Sequence, residues 1–126
     1  MAAQTLLLAV SVFFTWRTIS EAGRERERER REARRRDEEA KLDYVAHRAL
    51  EVYEAAEAWR AGRPEARLFE PTQRRLAYAL AVAPGLLSEI PALARMVGDP
   101  ASSITDDLVS QALDEVEEAV RELRRT

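Results

Sequence analysis

Two kinds of apolar spacing divide this chain. Residues 2–16 carry no charge, and Leu6, Leu7, Leu8, Val10, Val12, Phe13, Phe14 and Trp16 point all round a helix rather than along one stripe. A surface of that kind needs lipid or complete burial. From Lys41 to Arg60 the pattern changes: Leu42, Val45, Ala46, Ala49, Leu50, Tyr53, Ala56 and Trp59 recur at three- and four-residue steps, which predicts an amphipathic helix.

Local punctuation sets the later elements. Arg60-Ala61-Gly62-Arg63-Pro64 ends the first amphipathic helix, with glycine free to adopt a left-handed cap and proline just beyond to block continuation. Pro71 suits the first turn of a second helix, whose apolar face uses Leu76, Ala79, Leu80 and Ala83 before Pro84-Gly85. Ser88 and Pro91 introduce a short third helix through Leu93, Met96 and Val97, closed by Gly98-Asp99-Pro100. A last helix starts near Ser103 to Asp106, where Ser-x-x-Asp resembles a capping box with Asp in place of Glu. Its stripe is Leu108 or Val109, Ala112, Val116, Ala119 or Val120, and Leu123, with Arg121, Arg124 and Arg125 in the final turns, where the helix dipole favours cations. The expected fold is all-α: residues 1–19 a transmembrane anchor helix, 20–40 a charged helical spacer, and 41–126 a small bundle of about four helices. Heptad-like seams run for too few heptads to establish a coiled coil, and an alanine-rich core makes burial against a second copy or a protein partner plausible.

Composition agrees with this expectation. Four glycines and five prolines in 126 residues suit helices better than a sheet. The absence of cysteine removes disulfides, thiolate chemistry and cysteine-ligated metals.

The net charge of −3 is unevenly spread. Residues 17–36 hold nine Arg (Arg17, Arg24, Arg26, Arg28, Arg30, Arg31, Arg34, Arg35 and Arg36) against five Glu, a balance of +4, while residues 37–126 carry −7. A helix from Met1 to Ile19 is about 28 Å long, close to the roughly 30 Å of a bilayer's hydrocarbon core. Trp16 and Arg17 at its end suit the headgroup layer. With every Lys and Arg after the run, the positive-inside tendency places the N-terminus outside and the C-terminal part in the cytoplasm. Two alternatives are weaker. A buried core helix usually has a shorter run, and a cleaved signal peptide lacks the basic residue that should precede the apolar segment.

Between the apolar run and the domain, Arg24–Glu39 alternates in sign. In a helix this gives opposite charges at i,i+3 and like charges at i,i+4, contributions that roughly cancel. The stretch reads as a solvated spacer with Gly23 as its weak point, and secondarily as an electrostatic collar for an anionic leaflet. Strict alternation argues against arginines gathered on one face, and no aromatic lies among them to stack on bases, so no nucleic-acid partner is expected.

Candidates for chemistry are few. His47 is the single histidine and falls at the edge of the first amphipathic stripe. The acidic pairs Asp106-Asp107, Asp114-Glu115 and Glu117-Glu118 lack the Glu-x-x-His motifs of a helical carboxylate metal site. Ser88, Ser102, Ser103 and Ser110 lack a nucleophile's context, and the aromatics Tyr44, Tyr53, Trp59, Phe69 and Tyr78 read as core. No enzyme, metal or cofactor is expected. The expected function is a single-pass, membrane-anchored cytoplasmic interaction or scaffold module; the alternative is a small pore-forming or lysis accessory protein whose span oligomerises.

Overall fold

A computed structural model describes the backbone of residues 2–125 apart from 84, 86 and 88, and side chains from residue 20 onward. The chain is all-helical, 87% helix, with four α-helices and no strand among the described residues. These are α1 (Ala2–Arg60), α2 (Phe69–Ala81), α3 (Pro91–Gly98) and α4 (Asp106–Arg125), with single 3₁₀ turns at Pro64–Leu68 and Ala101–Ser103. The chain divides into two units, residues 1–34 and residues 35–126. The described residues of the first are helix throughout. The anchor residues Leu6 to Trp16, and Arg17, lie outside the residues whose side chains are described. Among the described residues no helix is long and apolar enough to cross a membrane.

The second unit is the bundle. α1 ends where glycine allows it to: Gly62 sits at φ +66°, its N–H bonds the Trp59 carbonyl at 3.1 Å, and the Arg63 N–H reaches back to Ala58 at 2.8 Å. That pair of bonds is a Schellman cap. α2 begins two residues before Pro71, which still falls in the first turn, where its missing N–H has no intrahelical partner to lose. Two expectations shift. The buried stripe of α1 is Leu42, Val45, Ala49, Val52 and Ala56, so Val52 joins the core while Leu50 and Trp59 stand 40% and 51% exposed. α4 is capped by Thr105, not Ser103: the Leu108 N–H donates to Thr105 Oγ1 at 3.2 Å, while Ser103 belongs to the preceding 3₁₀ turn.

Leu42, Leu76, Leu93, Met96, Ile104, Val45 and Val52 are the largest fully buried side chains, and most of the remaining core is alanine, including Ala49, Ala56, Ala79, Ala92 and Ala112. Alanine adds little apolar area, so the core depends on close helix approach and on a few large residues. α1 and α4 run antiparallel, tied by Arg124 to Glu39 at 3.2 Å at one end and by Tyr53 to Asp106 at the other.

α3 has eight residues and no side-chain cap from Ile90 at its start. An isolated helix of that length does not form in water. It is held at both ends by its neighbours. The Glu115 carboxylate, on α4, accepts the backbone N–H of Ala92 at 2.9 Å and of Leu93 at 3.0 Å. Gln73, on α2, donates through Nε2 to the carbonyls of Met96 at 3.1 Å and Asp99 at 2.7 Å. Between the clamps, Ala92, Leu93 and Met96 are buried.

Removing the first clamp tests this account. Glu115→Ala leaves two helix-start donors without a protein acceptor and should cost about 1–2 kcal/mol. For a unit of this size that lowers the melting midpoint by roughly 5–12 °C. Glu115→Gln retains an acceptor oxygen and should cost less. Thermal melts followed by circular dichroism decide; a midpoint unchanged in Glu115→Ala refutes the clamp.

Candidate functional site

The arginines from Arg24 to Arg34 are exposed, and the helix sorts them more strongly than their alternation suggests. At 3.6 residues per turn, Arg26, Arg30 and Arg34 form one row and Arg24, Arg28 and Arg31 an adjoining one, all six within an arc of about 200°. Among residues 24–34 only Glu27 falls in that arc, and Arg31 Nη2 pairs with it at 2.8 Å. Glu25, Glu29 and Glu32 occupy an arc of about 60° on the opposite side. This corrects the expectation that no face concentrates arginine. Summing the i,i+3 and i,i+4 pairs, which roughly cancel, hides the segregation; projecting every residue at about 100° reveals it. Arg35 and Arg36 are likewise exposed and belong to the second unit.

In the second unit, polar groups gather where the C-terminal end of α1 meets the start of α4. Arg60 donates to the carbonyls of Ile104 and Ala101 and pairs with Glu57. Its guanidinium thereby satisfies carbonyls in the turn before α4. Tyr53 donates its hydroxyl proton to Asp106. That hydrogen bond, with burial as the second cause, raises the Tyr53 pKa above its ordinary value. Nearby on α1, Arg48 reaches both Glu51 carboxylate oxygens, at 2.9 and 2.8 Å, and lies over the Tyr44 ring at 4.6 Å, while its Nε is buried without a partner. The Glu51 bond is the main cause that raises the Arg48 pKa.

Two surface hollows of the second unit bear on docking. Trp59, Phe69, Pro100 and Ala101, together with the polar residues Arg67, Glu70, Gln73, Asp99 and Ser102, line a groove of about 580 Å³ that is about half polar. A larger acidic cleft of about 900 Å³ lies between the α3 start and α4, lined by Glu89, Asp114, Glu117, Glu118 and Glu122, with Glu115 committed to its clamp. Arg121 in that cleft already pairs with Glu117 at 2.8 Å and Glu118 at 3.4 Å.

The remaining sequence candidates disperse. His47 is exposed rather than at the stripe's edge, with Nδ1 2.9 Å from the Asp43 carbonyl. Asp106 and Asp107 open α4, while Ser102 and Ser110 are exposed and Ser88 lies outside the described residues. No group of three or more His, Asp or Glu among the described residues is arranged to hold a metal ion. Of the aromatics, Tyr44, Tyr53 and Phe69 pack on the core, whereas Trp59 and Tyr78 are more than half exposed, contrary to a uniform core role. Glu115 and Gln73 escaped sequence reasoning because each caps a helix distant in sequence.

The Tyr53–Asp106 bond makes a pH prediction with a definite sign. The folded state holds the Tyr53 proton more tightly than the unfolded chain, whose tyrosines ionise near about 10. The bond's contribution is therefore complete below about pH 10 and is lost as pH rises through the higher folded value. Tyr53→Phe should be less stable than wild type at neutral pH, and the gap should narrow above about pH 10. Denaturant titrations at both pH values check this; a gap that widens at alkaline pH contradicts it. Compared with known proteins, the chain matches no family model, no curated protein and no solved structure.

Proposed function

We propose that this chain is a single-pass membrane-anchored interaction module, with the helical bundle of residues 35–126 displayed on the cytoplasmic side to dock a protein partner or a second copy. The observation that carries the reading is the order of parts: an uncharged run over residues 2–16, then arginines, then a bundle with its own core. A continuous α1 joins the run to the arginines without a loop, as expected of a span that leaves the bilayer still helical. The excess of −7 in residues 37–126 favours holding that part away from an anionic leaflet. Trp59, at 51% exposure beside Phe69, supplies the kind of aromatic anchor on which interfaces concentrate their energy.

Two measurements test the two halves of the reading. A reporter fused after Arg125 that is active only in the cytoplasm should be active, and the chain should stay with membranes through an alkaline carbonate wash; an external C-terminus overturns the orientation, and release overturns the anchor. For docking, Trp59→Ser replaces a half-exposed side chain outside the core cluster and should move the melting midpoint by only a few degrees. It should also abolish complexes trapped by in-cell cross-linking. Undiminished complexes would remove the groove from the reading.

A further inference from the structure

We propose that the arginine arc of residues 24–34 is a docking surface for the phosphates of an anionic bilayer, with the helix lying along the headgroup layer and its glutamates facing water. The proposal rests on the anchor reading for its setting but not for its test.

Three observations carry it. The arc holds six Arg and one Glu, an excess of five positive charges on one side of a helix whose other side is acidic. It is also built of like charges in contact range, since Arg26, Arg30 and Arg34 repeat every four residues, as do Arg24 and Arg28. Neighbours at that spacing repel. Glu27 is the one acid in the arc and is paired with Arg31, so a layer of external phosphates relieves repulsion the helix does not relieve itself. Finally, the one-sidedness selects the shape of the polyanion. A flat anionic surface meets only the arginines, whereas a nucleic-acid groove places phosphates on both sides of an inserted helix and would meet Glu25, Glu29 and Glu32 as well. No aromatic lies between Trp16 and Tyr44 to stack on bases.

The orientation has a consequence for Gly23. A helix rising upright from the bilayer carries Arg34 beyond the roughly 8 Å reach of surface charge at physiological salt. Full contact therefore requires α1 to turn along the surface. Gly23, next to the arc and with nothing within 4 Å of where its Cβ would be, is where a bend is least opposed.

The chain's lack of cysteine makes the test direct. The full-length chain carrying either Arg30→Cys in the arc or Glu32→Cys opposite it is reconstituted in vesicles. One set is phosphatidylcholine and the other contains added phosphatidylglycerol, and labelling by an uncharged maleimide is timed. Arg30→Cys should label on the order of tenfold more slowly on the anionic vesicles, Glu32→Cys should label equally on both, and high salt should erase the difference. Adding Arg24→Gln, Arg28→Gln and Arg34→Gln should restore fast labelling at position 30. Equal rates at position 30 on both vesicles, or equal slowing at positions 30 and 32, overturns the proposal. Protection of position 30 by duplex DNA on neutral vesicles at physiological salt, matching that given by phosphatidylglycerol, overturns it in favour of nucleic acid. Carbonate resistance on phosphatidylcholine alone reports the anchor separately. If the anchor fails, labelling on anionic vesicles still decides the arc.

Discussion

The bundle depends on an eight-residue helix that cannot stand by itself. α3 lies between α2 and α4 and supplies Leu93 and Met96 to a core in which most other side chains are alanine. Without α3 in place those two large residues leave the core, and α2 and α4 lose the helix packed against both of them. Glu115 and Gln73 prevent that by satisfying the backbone at opposite ends of α3, each from a different long helix. A carboxylate at a helix start and a side-chain amide donor at a helix end both suit the helix dipole, so each clamp adds electrostatics to hydrogen bonding. Folding of the three helices is coupled through four backbone groups.

This coupling explains why so thin a core suffices. Alanine faces contribute little transfer energy, but they let helices approach closely, and close approach brings Tyr53 to Asp106 and Arg60 to the carbonyls before α4. Polar ties at the periphery fix the register that small side chains specify weakly. The unit therefore gets its specificity from its rim and its apolar stabilisation from a handful of residues.

What the sequence disclosed follows the range of the interactions involved. The cap at Gly62 was legible because all its determinants lie within a few residues and glycine is the residue that adopts φ +66° without strain. Helix number and order were legible from proline and glycine punctuation for the same reason. The face of α1 was legible in phase but partly misassigned: Val52 lies within about 60° of Val45, Ala49 and Ala56 on the helix surface and is buried with them, whereas Leu50, about 160° from Val52, falls on the far side. Thr105 and Ser103 are chemically near-equivalent caps, and the choice was made by the 3₁₀ turn that consumes Ser103. The clamps were not legible at all, since nothing local to Glu115 marks it off from Glu117 or Glu118. The arginine arc was present in the sequence but hidden by alternation, a period-two pattern laid on a period-3.6 object.

The exposure of Trp59 is a result of topology, and that bears on its use. It continues the spacing of Leu42, Val45, Ala49, Val52 and Ala56, so its helix phase points with the core. Its partner helix has run out: α4 starts at Asp106, already opposite Tyr53, and farther along α1 the neighbour is the turn that Arg60 binds through Ala101 and Ile104. A turn covers less of a helix face than a helix does, so the position is left half open beside Phe69 and Pro100. Stability alone asks for no large aromatic there, because a polar residue would satisfy a half-exposed end position as well. A tryptophan at the place where the bundle stops covering its own seam is apolar surface the fold presents but does not use, and this directs the docking reading to the Trp59 groove rather than to the acidic cleft, whose Glu117 and Glu118 already have Arg121.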